Sequence, residues 1–212
     1  MPAGETHGHR HAEIGRPSTP VLVAGVAYLA LWIGTAIAPF DRSAWLLENV
    51  LVAAFVAVLA VTYRRFRFST ASYLLMIFFL TLHAVGAYYT YSEMPLGFLV
   101  QESWGLSRNH YDRLAHLSFG VLFALPAKEL VSRRLYLPDR TAGFPAFVVI
   151  LASSTTYELV EWCVALLVSP EASHAYLGTQ GDMFDAQKDT ALAAAGAATM
   201  LVVHRLWSAT RP

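Results

Sequence analysis

Residues 178–207 read "GTQGDMFDAQKDTALAAAGAATMLVVHRLW". From Thr190 onward the stretch is almost wholly apolar, and about 20 mainly apolar residues are what a helix needs to cross a bilayer core. A membrane span is therefore predicted over 185–207. It nevertheless opens on acids. Asp182, Asp185 and Asp189 recur at i, i+3 and i+7, which on a helix puts them within about 60° of one another. Ala193 and Gly196 continue that stripe and are small enough to let another helix approach closely. Like charges crowded in low dielectric repel, so the rest of the chain must supply what compensates them.

The composition agrees with a membrane protein. The 212 residues are 56% hydrophobic and 14% charged, against about 45–50% and about 25% for a soluble domain. Mean hydropathy is +0.44. Net charge is zero, which offers nucleic acid no basic face. One cysteine, Cys163, excludes an intrachain disulfide and any multi-cysteine metal site; set in an apolar stretch, it reads as a packing residue. Residues 1–20 are polar and lack the apolar core of a cleaved signal peptide. With His7, His9 and His11 they read as a disordered tail, and 208–212 as a short C-terminal one.

Continuously apolar segments at 21–40, 45–63, 69–91, 111–131, 144–168 and 185–207 predict an all-α bundle of six transmembrane helices in one domain, 21–207. Cationic residues orient it. Arg64, Arg65 and Arg67 fill the second connection, and Lys128, Arg133, Arg134 and Arg140 crowd the fourth. Arg10 and Arg16 mark one terminus, Arg205 and Arg211 the other. The remaining connections are acidic or balanced. Both termini are thus expected in the cytoplasm, with the first, third and fifth connections outside.

The unusual polar residues then share a depth. His83 lies fourteen residues into an outward-running span, about 21 Å along it. Asp112 and His116 occupy the first two turns of an inward-running one. Glu158 and Glu161 lie past the middle of the fifth span, and Asp182, Asp185 and Asp189 open the sixth. Glu48 and Asn49 also fall near the outer end. A charge near the bilayer centre costs at least about 2.5–3.5 kcal/mol, so such residues face the bundle interior, pair, or coordinate something. One pocket open to the extracytoplasmic side is expected.

Within it, Asp112 and His116 are i, i+4 neighbours and Glu158 and Glu161 are i, i+3 neighbours, each pair on one helical face. Carboxylates with imidazole suit a divalent metal ion. The competing reading is a metal-free ion-pair and hydrogen-bond network, with Arg108, Arg113 and Lys188 close enough in sequence to neutralise some acids. His83 alone reads more simply as an interhelical hydrogen-bonding residue. Asp182 can cap the last helix, whereas Asp189 lies too deep for that. Trp45, Trp104, Tyr88, Tyr89 and Tyr91 read as an interfacial belt, Trp162 as a neighbour of the acidic face, Glu129 as a partner of Arg133, and Lys128 as topogenic. No G-x-S-x-G, H-E-x-x-H, phosphate loop or dinucleotide fingerprint is present. Metal-activated water is therefore the natural route if the protein is a catalyst.

The segments "RNHYDRLAHLSFG", "YELVEW" and "GTQGDMFDAQKDTALAAAGA", in that order, closely resemble the YjdF-like family of bacterial inner-membrane proteins, from the first span to the sixth. A looser similarity joins them to VanZ-like membrane proteins, which share Asp and His four apart in one helix, a Glu in the next and Asp residues opening the last. Here those positions are Asp112, His116, Glu158 and Asp185 or Asp189. The resemblance implies a multi-pass protein of the bacterial cytoplasmic membrane and carries over no reaction. The leading expectation is a metal-dependent enzyme acting on a lipid or lipid-linked envelope substrate. Asp112, His116, Glu158, Asp185 and Asp189 would hold the metal, and Glu161 or His83 would move protons. An ion- or proton-coupled transporter or binding protein, and a purely structural network, stand as alternatives.

Overall fold

The computed structural model describes residues 17–210. The tail histidines His7, His9 and His11 lie outside the described residues, as do positions 211 and 212. Among those described, eight helices and no strand form the fold: α1 (Thr19–Ile37), α2 (Arg42–Thr62), α3 (Thr70–Tyr88), α4 (Pro95–Trp104), α5 (Tyr111–Arg134), α6 (Gly143–Ala165), α7 (Pro170–Leu177) and α8 (Asp185–Ala209). Six of them (α1, α2, α3, α5, α6 and α8) are long and apolar enough to cross a membrane, and they coincide with the expected spans to within a few residues at each end.

Local chemistry sets the boundaries. Asp41 accepts from Ala44 N–H and Ser69 from Ser72 N–H, capping α2 and α3. The short helices α4 and α7, which the hydropathy pattern did not anticipate, begin at Pro95 and Pro170 and stop at Gly105 and Gly178, both at positive φ. They fold the third and fifth connections onto the end of the bundle.

Two ends are distinguished by their bonds. At one, Phe40 N–H donates to Tyr88 O, and Arg108 and Asn109 reach Thr179 and Gln180. At the other, Ser69 N–H donates to Glu129, Arg133 donates to Arg67 O and Glu129, and Lys128 donates to Asp139. The first is hereafter the acidic end and the second the basic end. Glu129 pairs with Arg133 as expected, at 2.7 Å.

The outward faces are apolar, as lipid requires: Val26, Val58, Phe78, Leu159 and Val203 all stand exposed. Helices in lipid gain little from hydrophobic burial and pack by close approach. Between α5 and α8, which pack most extensively, a Cβ on Gly120 would lie 2.0 Å from Ala193 O, and one on Gly196 2.4 Å from Leu117 O. The stripe of Ala193 and Gly196 thus serves as read.

Several expectations are corrected. Asp182 precedes α8 in a turn, so the three aspartates do not share one helical face, and the helix-capping position is Phe184. Trp45 and Tyr91 are not belt residues; both are buried in a cluster with Ala87, Tyr111 and Ala115. Trp45 Nε1 donates to Thr35, and the Gly86 backbone leaves room for the Tyr91 ring. Trp104 stays exposed, and Tyr88 and Tyr89 are half-buried. Cys163 is exposed instead of packed inside. Lys128 is buried between Asp139 and His204, so it has a packing role beyond orientation.

Candidate functional site at the acidic end

The polar residues reach the site from five helices, α2, α3, α5, α6 and α8. Asp112 sits in the first turn of α5 and Asp185 in the first turn of α8, where the helix dipole favours an acid. His116 follows Asp112 by four residues. Asp189 lies one turn inside α8, and α6 contributes Tyr157, Glu158 and Glu161. From the far side come Glu48 of α2 and His83 of α3.

The acids divide into two groups. In the first, the buried Arg108 donates from Nη1 to Asp185 Oδ1 and to Thr179 O, and lies 3.5 Å from Asp185 Oδ2. Arg113 Nη2 donates to Asp182 Oδ2 and stands 3.4 Å from Asp185 Oδ1. Lys188 Nζ reaches Asp182 Oδ2 at 2.6 Å. Hydrogen bonds from Lys188, from the Phe184 N–H and from Arg113 hold the Asp182 carboxyl well below the usual carboxylate range. These three cations offset the repulsion between Asp182 and Asp185 and leave Asp189 unanswered.

The second group has no cation in it. One ligand atom from each of Asp112, His116 and Asp189 lies within 4.8 Å of the other two. His116 Nε2 is 3.6 Å from Asp112 Oδ1 and 3.5 Å from Glu158 Oε1. Asp189 is only 2% exposed, yet its Oδ1 has no hydrogen-bond partner, and neither has the buried Glu158 Oε1. A buried carboxylate oxygen left without a donor is costly.

Two cavities meet here. An outer one of about 830 Å³ is lined by Glu158, Asp185, Asp189 and Trp162. An inner one of about 390 Å³ runs between α2, α3, α5 and α6. Asp112 and Glu161 border both. His83 faces the inner cavity. Tyr91, whose phenol burial pushes well up, keeps its proton. It stands 2.5 Å from His83 Nδ1, and the other ring nitrogen of His83, Nε2, is buried and unpartnered.

The expected ligands therefore separate. Asp112, His116 and Asp189 converge, with Glu158 beside them. Asp185 is adjacent but held by arginine. Glu161 and His83 line the cavity without joining the cluster. Sequence reasoning missed Asn109 and Gln180, which staple the α4–α5 and α7–α8 connections: Asn109 N–H donates to Gln180 Oε1 and Gln180 Nε2 to Asn109 O, each at 2.9 Å. Asn109 is fully buried, its amide lying where a side chain on Gly97 would otherwise stand. Tyr157, which donates to Glu48 at 2.8 Å, was also missed. All three stand inside the quoted motifs, but their partners are distant in sequence.

The model of the family described as "Predicted membrane protein (DUF2238)" matches residues 20–210. The chain belongs to this family. As a DUF2238 protein it is 40% identical over 171 residues to the inner membrane protein YjdF of Escherichia coli (strain K12), covering 80% of this chain and 81% of that one. No solved structure matches it. With its six membrane-length helices, this DUF2238 member is a multi-pass protein of the bacterial inner membrane.

Proposed function

We propose that the protein is a metal-dependent membrane enzyme acting on a lipid or lipid-linked envelope substrate at its acidic end, which faces the extracytoplasmic side. The observation that carries this reading is the buried, donorless Oδ1 of Asp189, set against Asp112 and His116 within ligand distance. A purely structural network would satisfy that oxygen, as the arginines satisfy Asp185.

The donor set fits a divalent cation. Asp112, Asp189 and His116 would hold it, with Glu158 in reach; carboxylate oxygens with one imidazole suit Mn²⁺, Mg²⁺ or Zn²⁺. Asp185 acts as a positioning residue, tying the start of α8 to Arg108. Such an ion supplies Lewis-acid polarisation of an ester or phosphoryl oxygen. Glu161, bordering both cavities, accepts a proton at its carboxylate, and His83 Nε2 offers a hydrogen bond to the substrate head. Ion-coupled transport is disfavoured by the lining of the inner cavity beyond Phe119, which is apolar apart from Ser153 and Ser154 and offers an ion no charged ligand.

Metal analysis of the purified protein tests this. We expect a bound divalent ion that is lost in Asp189→Asn and retained in Glu161→Gln. A wild-type protein without metal, or one whose metal content survives Asp189→Asn, overturns the assignment. Incubation with membrane lipid extract should yield new products by mass spectrometry, absent with either variant. Ion uptake by proteoliposomes without product would favour the transporter instead.

A further inference from the structure

The inner cavity is built as a head and a tail. Its polar lining is gathered at one end, where Glu48, His83, Asp112, His116, Tyr157 and Glu161 meet. Below that the walls are apolar, apart from Ser153 and Ser154, down to Phe68 and Leu130 near the basic end. On α5 alone the lining runs from Asp112 to Leu130, about 27 Å at 1.5 Å per residue. Its volume of about 390 Å³ suits one narrow chain, on the order of a dozen methylene-sized units if each fills a water's ~30 Å³.

The wall of the cavity is least closely packed on one side. Helix α2 packs against α3 and α7, and α6 against α5, α7 and α8, whereas packing between α2 and α6 themselves is slight. The Tyr157–Glu48 hydrogen bond crosses that seam at its polar end.

We propose that the α2–α6 seam admits a single hydrocarbon chain of a membrane lipid into this cavity, placing the lipid's oxygen-bearing head among His83, Tyr157 and the Asp112–His116 pair. The assignment of the head to chemistry rests on the metal-site reading above; the binding of the chain does not. Phospholipid acyl chains and free fatty acids share this chemistry, so the test must separate them.

Two probes carry the same diazirine-bearing palmitoyl chain, one as the free acid and one in phosphatidylglycerol. Each is photolysed with the full-length protein in lipid nanodiscs, and the labelled peptides are mapped. Labelling of inward residues such as Phe55, Phe123 and Leu130 is expected. The probe that gives it identifies the source. Labels confined to outward residues such as Val148 and Val202, with both probes, overturn the proposal. Ala127→Phe, which fills the deep end, should abolish labelling at Leu130 and keep it at Phe55. Should that variant fail to fold, Ser153→Trp, which obstructs the middle, should abolish labelling below it. Undiminished deep labelling in a folded variant is equally fatal. The same experiment in Asp189→Asn separates the two readings: chain labelling should persist when the metal is lost.

Discussion

Arg108 and Asp185 meet across 77 residues of chain with side chains only 6% and 7% exposed. Breaking such a pair leaves a charge buried without compensation, which is far costlier than the pair is favourable. Arg108→Ala is therefore expected to destabilise the protein by about 3–5 kcal/mol, read as a fall in Tm in detergent; an unchanged Tm would mean that Asp185 is solvated. Asp189 behaves oppositely. In chelator-treated protein, Asp189→Asn should raise stability by about 1 kcal/mol, because it removes a buried acid whose Oδ1 has no donor. Asp182 gives a pH signature. Its folded pKa is depressed, so the stability it contributes is present above its unfolded value of about 3.9 and lost as pH falls through the lower folded one. The Tm difference between wild type and Asp182→Asn should be constant from neutral pH to about 4 and shrink in stronger acid.

At the scale of elements, the α5–α8 crossing decides how tightly the site is held, since α5 carries Asp112 and His116 and α8 carries Asp189. Gly120→Ala must push Ala193 O away from a 2.0 Å approach, at a cost of about 1–3 kcal/mol. Gly34→Ala, with nothing within 4 Å of the new Cβ, should be neutral or favourable by up to about 1 kcal/mol. Thermal unfolding of the two variants side by side checks this, and equal effects would refute the close-approach account. The small-residue stripe was legible because its period is helical. The helices α4 and α7 were not, although Pro95, Gly105, Pro170 and Gly178 signalled them, because a hydropathy window long enough to find spans averages short helices away. Trp45 and Tyr91 were misplaced for a related reason. An aromatic residue at a span's end suits an interface or a core equally, and the turn at Thr90 and Tyr91, both at positive φ, sends Tyr91 back inside.

For the whole molecule, the orientation inferred from the arginine-rich connections is tested by a cysteine at Ser173 in α7, in a Cys163→Ser background. It should be labelled by an impermeant reagent from the periplasmic side; protection there would invert the assignment and move the site to the cytoplasm. The number of spans, their order and the common depth of the acids and histidines were written in the sequence, because hydrophobic length and charge cost act on each segment separately. Which acids pair with arginine and which are left without a cation was decided only by tertiary structure. The i, i+3, i+7 spacing assigns Asp182, Asp185 and Asp189 the same role. In the fold, Asp182 and Asp185 meet cations from another segment, and Asp189 meets Asp112 and His116. Coulomb energy depends on distance through space, and no local pattern states which side chains two packed helices will bring within a few ångströms.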